Sequence, residues 1–260
     1  MQTPEERIQE LEAALARERQ AVTDAEQARQ EFVSLVTHEL RVPMTSIKGY
    51  TDLLLKGIMG PVSDAQAQFL NTIRANVERM SKMVADLADI NKIEGGQLEL
   101  KIAAVPLDDD LIDEALKPYQ KEIKEKAQTV IRDIPADLPP LAADRGRLIQ
   151  VLGNVLSNAT KYSPERAGII IKAAETPEGE IRVSVEDTGY GILADEQARI
   201  FEKFFRASDE ETRATPGNGL SLYLSRQLLA LHGGSIGFES ERGKGSTFSF
   251  TVPKRAAETA

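Results

Sequence analysis

The run between Pro4 and Pro43 contains no other proline, and within it apolar residues recur at alternating steps of three and four. Counted from Ile8, the inner positions of the repeat are Ile8, Leu11, Leu15, Glu18, Val22, Ala25, Arg29, Phe32 and Val36, seven of nine apolar. Glutamate, alanine and arginine between them favour helix, so residues 4 to about 57 are expected to form one long helix. A stripe of period 3.5 held for several heptads and flanked by charge has little use on a solitary helix and is the pattern of a two-stranded coiled coil. The sequence therefore asks for a partner helix, which a second copy of the chain supplies.

Gly57, Gly60 and Pro61 end this helix, and Ser63 before Asp64 starts another that is expected to reach about Lys92. Its apolar positions Phe69, Ile73, Val77, Met80, Val84 and Leu87 predict one buried face. Two helices joined by a short loop make a hairpin, and two hairpins make a four-helix bundle. After Gly95-Gly96, the segment from Leu98 to Val105 reads as a linker or edge strand. Beyond Pro106 the periods are mixed: helix at 108–127, strand at 129–133, helix at 144–161, strands at 168–174 and 180–186, helix at about 218–232, and a terminal hairpin around Gly243-Lys244-Gly245.

Composition closes several routes. Forty-one acidic against thirty-two basic residues leave a net charge of -9 with no basic cluster, which disfavours nucleic acid. With no cysteine there are no disulfides, thiolate metal sites or thiol nucleophile. No apolar stretch approaches the roughly 20 residues needed to cross a bilayer, so no membrane span and a cytoplasmic location are expected.

Three distant segments carry polar and glycine residues that packing alone does not explain. Asn154 and Asn158, at i and i+4 on the helix expected at 144–161, share a face; their amide oxygens suit Mg²⁺ or could serve a neighbouring backbone group. Asp187-Thr188-Gly189-Tyr190-Gly191-Ile192 follows a strand and could read a planar base or form an ordinary turn. Gly217-Asn218-Gly219-Leu220-Ser221-Leu222 opens a helix and fits either a phosphate cradle or a plain cap. Of two histidines, His232 stands at a helix end and is expected to be structural. His38 lies mid-helix beside Glu39, with no second histidine at zinc-binding spacing.

Together these segments resemble the sensor histidine kinases. The resemblance is carried by His38-Glu39-Leu40-Arg41-Val42-Pro43, the run Asn154 to Tyr162, Asp187 to Ile192, Phe201-Glu202-Lys203-Phe204-Phe205-Arg206, and Gly217 to Leu222, in the family's order and spacing. It implies a multidomain chain, in which an all-α helical hairpin forms a dimeric four-helix bundle with an N-terminal coiled coil, followed by an α+β ATP-binding sandwich like that of gyrase and MutL. The expected divisions are a signalling coiled coil at 1–30, a phosphotransfer hairpin at 31–94, a linker at 95–105, an ATP-binding domain at 106–256 and a tail at 257–260.

The resemblance further implies autophosphorylation of His38 by ATP and transfer to an aspartate of a response regulator receiver domain. Glu39 would assist His38, Asp187 would read adenine, and Asn158 would hold Mg²⁺ with Asn154 close to the phosphates. Lys161, Tyr162, Gly189, Gly191, Ile192, Arg206, Gly217, Gly219, Leu220 and Ser221 would complete the ATP site. The implied partners are a second copy and a sensor domain, upstream or in a separate chain. Two positions depart from the family. Val42 replaces a polar residue four places after the histidine, which implies weak phosphatase activity, and Ser221 stands where glycine is common. A gyrase-like ATPase would need an acid where Asn154 stands, and a vestigial scaffold would not need His38, Glu39, Asn158 and Asp187 intact.

Overall fold

A computed structural model describes residues 4–209, 212, 215 and 217–254, with side chains from residue 15 onward. The chain divides into two compact units, with the break between Gln97 and Leu98. The heptad side chains Ile8 and Leu11 and the tail at 257–260 lie outside the described residues.

The first unit is a helical hairpin of α1 (Pro4–Leu55) and α2 (Asp64–Glu94). Ser63 caps α2 with a reciprocal box: Gln66 N–H donates to the Ser63 hydroxyl at 3.3 Å and Ser63 N–H to the Gln66 side chain at 2.8 Å, satisfying two amides that the first turn leaves open. Met44 on α1 packs with Val77 and Val84 on α2. At the other end the Asn91 amide donates to the Gln30 carbonyl at 2.9 Å and Arg29 pairs with Glu94 at 2.9 Å. The helix continues through Pro43 without interruption. Proline lacks an N–H and removes a single backbone hydrogen bond, and Met44, beside it, is buried.

Within the single hairpin, the apolar face expected for α2 is covered only in part. Val77 and Val84 are buried, but Phe69, Ile73 and Met80 are 72%, 43% and 48% exposed. One neighbouring helix covers a narrow part of an apolar stripe, and the remainder stays open on a lone hairpin.

In the second unit a five-stranded sheet runs in the order β2 (Thr129–Asp133), β4 (Gly168–Glu175), β5 (Glu180–Asp187), β7 (Gly245–Pro253), β6 (Ser235–Glu241). Only β2 and β4 are parallel, joined across α5 (Arg145–Lys161). Alternate residues of β4, β5 and β7 are buried, among them Ile169, Ile171, Ile181, Val183, Val185, Phe248, Phe250 and Val252. Against them lie Leu148, Val151, Leu152, Val155 and Leu156 of α5, and Leu224, Leu228 and Leu229 of α6 (Ser221–Leu231). The opposite face is polar, with Lys172 paired to Glu186 at 2.7 Å. A sheet with helices on one face is a two-layer α+β sandwich.

Two local features differ from the sequence reading. The helix expected at 108–127 is α3 (Asp109–Leu116), a 3₁₀ turn (Lys117–Tyr119) and α4 (Gln120–Glu125). Pro118 cannot donate its amide, so the α-helical ladder stops there. A second ribbon pairs β1 (Ala103–Val105), inside the segment read as a linker or edge strand, with β3 (Leu141–Ala143), which had no turn or alternation long enough to announce it.

Candidate nucleotide site and phosphoacceptor

The last turns of α5, the end of β5 and the start of α6 converge on one cavity. It is lined by Asn158, Lys161 and Tyr162 from α5 and its end, Asp187, Tyr190, Gly191 and Ile192 from β5 and its loop, Arg206, Gly217, Gly219 and Ser221 approaching α6, and Ser246 of β7, among others. Periodicity explains the placement: α5 turns its apolar residues to the sheet, leaving Asn158 and Lys161 partly exposed, while Asp187 takes the inward position after Ile181, Val183 and Val185.

Asp187 is 7% exposed and accepts the Gly189 N–H at 2.8 Å. Burial pushes its carboxyl up to about 6, against the opposing pull of the Gly189 and Ser246 backbone amides and the Ser163 hydroxyl. A buried acceptor at the cavity wall suits an exocyclic amine. The backbone beside it is closely fitted. Gly191 has φ +67, and a Cβ there would come within 2.1 Å of the Glu241 carbonyl oxygen. Gly219 has φ +68, and its Cβ would lie 2.4 Å from the Phe205 carbonyl oxygen.

The N-terminus of α6 falls at Leu220, which makes no side-chain capping bond. Its side chain is fully buried, and its own amide donates to Asn218 Oδ1 at 3.1 Å. An apolar residue at the cap offers no side-chain acceptor of its own to the first turn, and Ser221 and Leu222 of that turn line the cavity. Arg206 also lines it, while donating to the carbonyls of Thr212 at 2.8 Å and of Thr215. Burial pushes the Tyr162 phenol up, opposed by Arg206.

Thirteen residues were expected at the nucleotide site, and three of them are not among the lining residues. Asn154 is 1% exposed and its amide donates to the Ser221 carbonyl at 3.3 Å and to Ser225 Oγ at 3.2 Å, so it ties α5 to α6 instead of facing the cavity. Gly189 donates its amide to Asp187 and Leu220 is buried at the start of α6, so each adjoins lining residues without being one. Tyr190, Asn218, Asp209, Thr212 and Ser246 line the cavity without having been singled out. The first two sit inside the quoted glycine runs, Ser246 lies at the start of the second strand of the terminal hairpin, and Asp209 and Thr212 lie in a segment without a pattern.

The donor set fits the groups that the resemblance implies: a buried carboxylate for a base, an uncapped helix start and Lys161 for phosphates, and the Asn158 amide as a hard oxygen ligand. His38 and Glu39 belong to the other unit. Their side chains are 71% and 69% exposed, with Nδ1 and Oε1 3.5 Å apart, the outer limit of a hydrogen bond. His232 is buried; Nδ1 meets the Leu228 carbonyl at 2.7 Å and Nε2 accepts the Asp144 amide at 3.1 Å, a packing role that agrees with expectation.

Residues 28–96 match the His Kinase A (phospho-acceptor) domain, and residues 143–256 match the histidine kinase-, DNA gyrase B- and HSP90-like ATPase family. The chain is similar to the non-motile and phage-resistance protein of Caulobacter vibrioides, 34% identical over 97% of this chain and 31% of that protein. It is also similar to the sensor histidine kinase WalK of Bacillus subtilis, 33% identical over 88% of this chain and 37% of the relative. The chain thus spans about a third of the length of these relatives. Among solved structures, full-length ShkA in complex with AMPPNP matches with a TM-score of 0.71 at 29% identity, over 87% of this chain and 46% of that one. With a phosphoacceptor hairpin and an ATPase-type sandwich matched in that order, the chain belongs to the sensor histidine kinases.

Proposed function

We propose that this chain is the catalytic part of a two-component sensor, moving the γ-phosphate of ATP onto His38 and then to an aspartate of a response regulator. The observation that carries the reading is the meeting of three sequence-distant segments at one cavity, with the buried Asp187 on one wall and the uncapped start of α6 on another. Asp187 accepts the base amine, Lys161 and the α6 amides receive phosphate, and Asn158 is the residue that would hold Mg²⁺. The ion's contribution is to neutralise charge on the phosphate oxygens.

With the Nδ1 proton of His38 directed at Glu39, the Nε2 lone pair attacks the γ-phosphorus. The bond to the β–γ bridging oxygen breaks, ADP leaves, and Glu39 takes the Nδ1 proton. The high exposure of both side chains leaves room for that approach. The chain acts as a homodimer, on the cytoplasmic side, under a sensor domain carried upstream or by another chain. The divisions at 1–30, 31–94, 95–105 and 106–256 give the input coiled coil, phosphotransfer hairpin, linker and ATP-binding domain.

Incubation with γ-labelled ATP and Mg²⁺ tests this directly. Acid-labile, base-stable label is expected on the wild type and absent from His38→Ala and Asp187→Asn; nucleotide consumption without label would indicate an ATPase instead. Val42, 60% exposed one turn after His38, has no polar atom with which to hold a water. Removal of phosphate from the partner is therefore expected to be weak and to rise in Val42→Thr, and brisk dephosphorylation by the wild type would contradict it.

A further inference from the structure

The C-terminal end of α5 is held by two side chains from outside the cavity. Lys126, the residue that ends α4, donates from Nζ to the carbonyls of Thr160 at 2.8 Å, Lys161 at 3.2 Å and Ser163 at 3.3 Å, and pairs with Glu122 at 3.1 Å. Gln128 donates from Nε2 to the carbonyls of Thr160 at 3.0 Å, Ser163 at 3.2 Å and Pro164 at 3.3 Å. Ala127 between them has φ +50, a left-handed conformation that an L-residue adopts only under constraint. That turn is pinned on both sides, since Gln128 N–H donates to the Ile123 carbonyl at 2.9 Å and Arg166 N–H to the Lys126 carbonyl at 2.8 Å.

A helix end exposes carbonyls that need donors, and the negative end of its dipole favours a cation. Thr160 and Ser163 are 0% and 1% exposed and Gln128 is 8% exposed, so water is poorly placed to substitute. The same few residues of backbone carry Asn158, Lys161 and Tyr162 to the cavity. The Tyr162 carbonyl, in turn, accepts the Tyr190 amide at 3.0 Å, which links the helix end to the glycine run beside Asp187.

We infer that Lys126 and Gln128 are positioning residues for the nucleotide site: they clamp the end of α5 so that Asn158, Lys161 and Tyr162 are presented in one geometry. Neither lines the cavity, so their effect on binding is transmitted through the backbone of residues 160–164. The inference rests on the nucleotide reading of the cavity.

The experiment is calorimetric titration of the full chain with AMPPNP and Mg²⁺, well below the melting temperature, alongside thermal unfolding without nucleotide. The variants are Lys126→Met, Lys126→Met with Gln128→Leu, Lys126→Arg, and Lys121→Met as an exposed control on α4. Lys126→Met is expected to weaken binding by about tenfold, the scale of a lost charge-assisted hydrogen bond, and the double variant by more. Lys126→Arg, which keeps a cation and donors, is expected to restore most of the affinity, and Lys121→Met to bind as the wild type does. Unchanged affinity in Lys126→Met with a lowered melting temperature would reduce the clamp to a stabilising cap and overturn the inference. If the double variant does not unfold cooperatively, Lys126→Met with its arginine counterpart carries the test alone. A wild-type chain that takes up no AMPPNP would fail the nucleotide reading itself, a result distinct from equal binding by wild type and variant.

Discussion

Asp187 shows how one side chain links environment to function. Because burial holds its folded pKa at about 6, above the unfolded value, the neutral acid favours the fold. Its stabilising contribution is complete below about pH 4 and is lost as pH rises through about 6. Under the proposed function, base recognition by the ionised carboxylate would run in the opposite direction, so AMPPNP affinity is expected to fall as pH drops below about 6. Titrations between about pH 5 and 8 on wild type and Asp187→Asn check this: the variant should bind more weakly with a flatter profile, and parallel profiles would place the dependence on another group.

At the level of elements, α5 and α6 form the frame of the cavity, and Asn154 is the polar tie between them. Asn154→Ala removes the donor to the part-buried Ser221 carbonyl and the buried Ser225 hydroxyl, which is expected to cost about 1–3 kcal/mol. Urea unfolding measures the loss; a change near zero would mean that the helices hold their places through Leu152, Val155, Leu224 and Leu228 alone. The i, i+4 spacing that put Asn154 and Asn158 on one face was read correctly. It could not show that the helix is rotated so that Asn154 meets α6 while Asn158 reaches the cavity. The rotation of the helix, invisible in spacing, separates a residue that ties two helices from one that lines the cavity.

For the whole molecule, the coiled-coil stripe is the feature left open. Leu15, Val22 and Phe32 are 48%, 64% and 65% exposed in the single chain, too much aligned apolar surface for a helix working alone. Phe32→Glu is expected to shift sedimentation from dimer toward monomer; a wild-type chain that sediments as a monomer would contradict the pairing.

What the sequence determined by itself is whatever depends on local period and local chemistry. The long α1, the helix start at Ser63, the alternation of β5 and β7 and the five motifs, with His38 and Asp187 among them, could all be read from neighbouring residues. Tertiary structure alone decided which distant groups meet: the partial covering of α2, the β1–β3 ribbon, the burial that raises Asp187, and the hold of Lys126 and Gln128 on α5. These depend on contacts between segments separated by tens of residues, where a side chain's partner is set by how helices and sheet pack, and no spacing along the chain records it.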